Sequence, residues 1–157
     1  MKNVSIIGLD KDITHKLVAE LNGLLSSYQI QYMNARGFHW NIKGENFFEL
    51  HAKFEEIYND LLLKVDEIAE RILTLGGEPL HGFSDYLAKS SIGEAKNISA
   101  GRDAIANLLS GYSVLIAKQR SLLALAGDAD DEGTASLMSD YIKEQEKLVW
   151  MLNAYLY

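Results

Sequence analysis

Phe47–Leu75, FFELHAKFEEIYNDLLLKVDEIAERILTL, is the stretch from which the rest of the chain can be read. No proline interrupts it. Asn46 stands before it as a candidate N-cap, and Gly76-Gly77 follows, with Pro79 just beyond. The pattern predicts one helix of about eight turns. Along it lie two couplets spaced by four, His51 with Glu55 and Asp66 with Glu70. That spacing is close to one helical turn, so each couplet puts two metal-capable side chains on one face. At about 100° per residue, all four fall in a stripe about 100° wide. His51 and Asp66 are nevertheless roughly 22 Å apart along the axis, so one chain cannot close all four around one ion. Two antiparallel copies of the helix can. The pairs His51/Glu70 and Glu55/Asp66 share one midpoint, between Asp60 and Leu61, so a two-fold axis there brings each pair together. The bland alternatives remain at this point: a surface His–Glu hydrogen bond and a solvated Asp/Glu couplet.

Three more long periodic segments flank this one. The first covers Asp12–Phe38, with Ile13, Leu17, Leu21, Leu24, Tyr28, Tyr32 and Ala35 at three- and four-residue steps and Asp10 or Asp12 as cap. The third covers Ile98–Leu125, closed by Gly127, and the fourth Glu132–Ala154. Met33, Met138 and Met151 fall at core spacing. Short links, Trp40–Asn46 and Ala126–Asp131, join the outer pairs. Glu78–Asn97 is too long for a turn and suits a crossover between helices lying side by side, with a short helix at Phe83–Lys89. The expected fold is all-α, a four-helix bundle of the ferritin-like kind with one long middle connection.

The chain has 157 residues, 48% hydrophobic and 24% charged, which suits a single globular domain over 1–157. It has no cysteine, so metal ligands must come from His, Asp and Glu. No apolar run is long enough to span a bilayer, and the N-terminus lacks the apolar core of a secretory signal, so a cytoplasmic location is expected. The net charge of −7 opposes general binding to phosphate backbones.

His39, at the end of the first segment, lies beside the start of the second because the link between them is short. Two imidazoles, His39 and His51, and three carboxylates, Glu55, Asp66 and Glu70, then share one interface. That mixture suits Fe(II), with Zn(II) and Mn(II) as competitors. A structural His bonding a backbone carbonyl is the alternative for His39. His15 and His81 do not join the cluster.

Phe38-His39-Trp40-Asn41-Ile42-Lys43-Gly44 resembles the F-H-W-N-x-x-G signature of the Dps mini-ferritins. Asn46–His51, Asp66–Arg71, Leu75-Gly76-Gly77 and Val149-Trp150-Met151 follow that family's pattern in order and spacing. The resemblance implies a hollow homododecamer with ferroxidase centres at its dimer interfaces. His39, His51 and Glu55 would come from one subunit, and Asp66 and Glu70 from its partner. It implies oxidation of Fe(II), preferably by hydrogen peroxide, and storage of ferric mineral. Glu55 stands where the family commonly has Asp, which leaves the site's geometry open. Trp40 either packs at the interface or intercepts stray oxidising equivalents. Acidic pores are implied for iron entry, and Asp131 and Asp140 are the candidates. Asp128–Gly133 begins like a calcium loop, but Ser139 stands where that loop requires Glu. The alternative function is DNA compaction. Only Lys2 and Lys11 are basic among the first twelve residues, so weak or absent DNA binding is expected.

Overall fold

The computed structural model describes residues 3–157, and five helices carry its architecture: α1 (Lys11–Asn41), α2 (Phe47–Thr74), α3 (Phe83–Lys89), α4 (Gly101–Asp128) and α5 (Glu132–Leu156). Only isolated bridges, Val4 with Asp10 and Lys43 with Ala100, occur among the described residues, so the class is all-α. Helices α1 and α2 form one hairpin and α4 and α5 another. α1 packs on α4, and the short α3 of the crossover lies on α1. This is the expected ferritin-like bundle.

Asp10 starts α1 by accepting from the backbone N–H groups of Asp12 and Ile13 at 2.9 and 3.2 Å. At the far end of α2, Gly76 takes a φ of +84°, a left-handed conformation cheap only for glycine. Its N–H donates to Leu73 O and that of Gly77 to Ile72 O, which stops the helix and turns the chain.

Several details differ from the sequence reading, among them that α4 runs through Gly127 to Asp128 and α5 past Ala154 to Leu156. α1 runs on through Trp40 to Asn41, whose Nδ2 donates to Gly37 O at 2.9 Å, so the link to α2 is shorter than Trp40–Asn46. Asn46 precedes α2 but does not cap it: its φ is +60° and its amide donates to the Tyr155 hydroxyl. α4 begins at Gly101 rather than Ile98. Asn97 turns left-handed, and Ser99 O is spent on the Lys43 N–H, so this stretch runs alongside the α1–α2 link. Of the three methionines only Met138 is core; Met33 and Met151 are exposed.

The core is built from Leu17, Leu21, Leu24 and Tyr28 of α1, Phe54, Ile57, Leu61 and Ile68 of α2, Leu108, Tyr112 and Leu115 of α4, and Met138 and Tyr141 of α5. Each fully buried aliphatic contributes about 1.5–3 kcal/mol. At its centre the apolar packing gives way to a closed polar triangle: the Tyr28 hydroxyl donates to Gln119 Oε1, Gln119 Nε2 donates to Gln145 Oε1 at 2.8 Å, and Gln145 Nε2 donates back to Tyr28 at 2.6 Å. Every partner is satisfied, so the triangle fixes the register of α1, α4 and α5 without an orphaned polar group. Beside it, the buried Lys64 ammonium bonds both oxygens of Asp60, at 2.6 and 2.7 Å, and Glu144 at 2.8 Å.

Candidate metal centre

His39 leaves the end of α1 and His51 the start of α2, and the short link brings them face to face. Their rings stack at 3.7 Å between centroids, tilted by 12°. Each Nδ1 lies 2.7 Å from the other residue's backbone oxygen. A carbonyl oxygen only accepts, so each Nδ1 carries a proton, and in the neutral ring the lone pair lies on Nε2. Both imidazoles are therefore held in the tautomer that ligates a metal through Nε2. Phe47 stacks on the outer face of His51 at 5.1 Å, and Tyr58 meets His39 edge-on at 5.3 Å.

Glu55, one turn beyond His51, is exposed. Its Oε1 accepts from the Tyr58 hydroxyl at 3.4 Å. Desolvation and the Glu55 charge hold the Tyr58 phenol above its ordinary pKa, against the opposing pull of Arg36, so Tyr58 remains a donor. Asp66 and Glu70 lie farther along α2, both exposed. None of the ion pairs among the described residues involves Glu55, Asp66 or Glu70, so no basic side chain of this chain is committed to them. Among the described residues, no three His, Asp or Glu side chains of the single chain converge to hold an ion.

The same stripe of α2 exposes large apolar side chains. Phe48 is 80% exposed and Leu73 57%. These two are equidistant from the midpoint between Asp60 and Leu61, as are His51 and Glu70, and Glu55 and Asp66. Phe48 and Leu73 thus share the centre of symmetry of the candidate ligand pairs, whereas Leu62, 47% exposed on the same stripe, lies opposite Asn59.

Of the other expected residues, Trp40 does not pack beneath the histidines. It is 59% exposed, with the Arg36 guanidinium 5.2 Å from its ring. Asp131 is buried: it accepts from Arg71 Nη2 at 2.6 Å and caps α5 through the Thr134 N–H at 3.0 Å. Gly133 makes room for this pair, since a Cβ there would meet the Arg71 guanidinium at 2.7 Å. Asp140 is exposed. His15 and His81 are exposed, and the His81 ring nitrogen binds Pro79 O. Sequence reasoning passed over Tyr58 and Arg36, although Tyr58 lies one turn from Glu55 and that spacing was a usable signal.

A helical bundle with a stacked pair of histidines and an exposed carboxylate stripe on an apolar-edged face has the attributes of the ferritin-like class. Residues 18–157 match the family model described as Ferritin-like domain. A crystal structure of a Dps protein from Vibrio cholerae O1, described as belonging to a broad superfamily of ferritin-like diiron-carboxylate proteins, has a TM-score of 0.97 at 57% identity. That match covers 100% of this chain and 98% of the other. The DNA protection during starvation protein of Porphyromonas gingivalis is 43% identical over 154 residues, 98% of this chain and 97% of its own length. An uncharacterised protein of Haemophilus influenzae is 57% identical over 148 residues, 94% of this chain and 92% of its own. The chain belongs to the Dps family of ferritin-like proteins.

Proposed function

We propose that this protein is a mini-ferritin that oxidises Fe(II), preferably with hydrogen peroxide, at centres shared by two subunits, and stores the ferric product inside a hollow homododecamer. In this reading His39, His51 and Glu55 of one subunit meet Asp66 and Glu70 of a second copy across a two-fold axis through the midpoint of α2. The observation that carries it is the His39–His51 pair: both rings are held through Nδ1, which leaves each Nε2 as a candidate donor, with Glu55 one turn beyond His51. The common midpoint of Phe48 and Leu73 with the ligand pairs supports the same axis, because it would cover two exposed apolar side chains while completing the donor set.

Each part of the chemistry has a physical reason. Imidazole and carboxylate donors accept Fe(II), and Zn(II) or Mn(II) would compete for them. Carboxylates stabilise the more highly charged Fe(III) further, which favours oxidation. Two Fe(II) ions supply the two electrons that one hydrogen peroxide takes; with two protons the products are two Fe(III) and two waters, and no hydroxyl radical is released. The reaction would protect the cell, with the cytoplasm as its setting, from iron and peroxide together. For iron entry, Asp140 offers an exposed carboxylate, whereas Asp131 is already committed to Arg71. Trp40, exposed beside His39, would be covered at the interface or intercept stray oxidising equivalents.

DNA compaction is the alternative. The net charge of −7 works against it, and weak or absent binding at physiological salt is the expected outcome of a gel shift. The deciding test of the ferroxidase reading is peroxide consumption with added Fe(II), for the unaltered chain and a His39→Ala/His51→Ala variant. Equal rates would refute it.

A further inference from the structure

Glu55 has one more rotatable bond than an aspartate would have there, and it lies on an exposed helix face. Left alone, such a side chain samples many rotamers and presents its carboxylate poorly. Here it is not alone. Tyr58, three residues on and therefore on the same face, donates its hydroxyl to Glu55 Oε1 at 3.4 Å. Tyr58 is itself confined. Its ring meets His39 edge-on at 5.3 Å and Tyr32 edge-on at 6.0 Å, and the Arg36 guanidinium lies 5.1 Å from its centroid. Arg36 is in turn anchored by donating to the Tyr32 hydroxyl. One rigid side chain, with only two torsions, thus touches a ligand residue from α1 and another from α2.

We propose that Tyr58 is a positioning residue that tethers the longer Glu55 carboxylate in register with His39 and so makes glutamate workable in this metal site. The inference rests on the metal-site reading above. The tether engages one oxygen of Glu55 and leaves the other for the metal. It requires the hydroxyl, not the ring, and it requires glutamate: a shorter aspartate at 55 would not reach Tyr58 in the same way. The two positions are therefore coupled.

The test uses Co(II) alone as probe, titrated into the assembled protein and followed by its d–d absorption, with four chains compared: unaltered, Tyr58→Phe, Glu55→Asp and the double variant. Tyr58→Phe keeps the ring packing and removes only the hydroxyl. It is expected to weaken Co(II) binding about three- to tenfold, within the range found when a ligand's supporting partner is lost, and to shift the absorption bands. In the Glu55→Asp background the same replacement is expected to change neither. A thermal melt on all four separates this coupling from loss of packing, which would lower stability equally in both backgrounds. Equal Co(II) affinity and spectrum for the unaltered and Tyr58→Phe chains overturns the tether, as does an equal loss in both backgrounds. A His51→Ala control distinguishes the two levels of the argument. If it leaves Co(II) binding intact, the metal-site reading fails and the tether with it; if it abolishes binding while Tyr58→Phe does nothing, the tether alone fails.

Discussion

His39 and His51 bind each other's backbone through a reciprocal pair of hydrogen bonds, each Nδ1 to the other's carbonyl oxygen at 2.7 Å. The acceptors are main-chain atoms, so they survive replacement of either side chain. His51→Ala leaves His39 its bond to the carbonyl at position 51, and the converse holds for His39→Ala. Each single replacement should therefore remove one ligand without releasing the other. Fe(II)-dependent peroxide consumption is expected to fall at least tenfold in either variant, the lower end of what loss of a metal ligand's support costs. Far-UV circular dichroism should show the helices intact. A single variant that retains the full rate would mean that its imidazole is not a ligand.

A centre shared across a two-fold axis has a consequence that a centre within one chain does not. Subunits bearing His51→Ala fail on one half of the site, and subunits bearing Glu70→Ala on the other. In a mixed dimer, one site collects both defects and the other collects none. Co-refolding the two inactive variants in equal amounts is expected to restore about a quarter of the full rate, because half of the dimers are mixed and half of their sites are intact. No recovery, in assemblies shown to contain both subunits, would place the donors within one chain.

The helices and their order were legible in the sequence because periodicity, one proline and the Gly76-Gly77 stop all agree. Even the short helix Phe83–Lys89 has its expected bounds. The start of α4 was not legible, since Ser99 O is spent on the Lys43 N–H, a contact between segments distant in the chain. Lys64 is buried because Asp60 and Glu144 surround its ammonium, and only the first of these is a neighbour along the helix. The shared face of His51, Glu55, Asp66 and Glu70 was legible because spacing on a helix is a local property. The ring stacking and the Tyr58 contact were not, because they arise where α1 returns beside α2.

Asp131 and Asp140 differ in what each is expected to disturb. Asp131 pairs with Arg71 at 2.6 Å and caps α5, so Asp131→Ala removes a cap and strands a partly buried guanidinium. A loss of about 2–4 kcal/mol in denaturant unfolding is expected. Asp140→Asn lies on an exposed turn of α5 and should change stability by less than about 0.5 kcal/mol, while slowing iron uptake if it borders an entry pore. An Asp131→Ala protein as stable as the parent would show that the Arg71 pair contributes little.

Alkaline pH should unfold this protein through its interior. Burial holds the Tyr28, Tyr112 and Tyr141 phenols above their ordinary pKa of 10.0. Lys64 is pushed down by burial but raised on balance by Asp60 and Glu144. All four groups hold their protons more tightly folded than unfolded. Their stabilisation is therefore complete below about pH 10 and is lost as pH rises through the folded values, at up to about 1.4 kcal/mol per group per pH unit. Denaturant midpoints should fall steeply above about pH 10, with phenolate absorption appearing together with unfolding. Tyr112 isolates one contribution, since its buried hydroxyl has no hydrogen-bond partner among the described residues. Tyr112→Phe removes an unsatisfied group, so stability at neutral pH should hold or rise by up to about 1 kcal/mol, and the alkaline slope should become shallower by one group. A clear loss of stability at neutral pH would mean that the hydroxyl is satisfied, and an unchanged slope that Tyr112 ionises alike in both states.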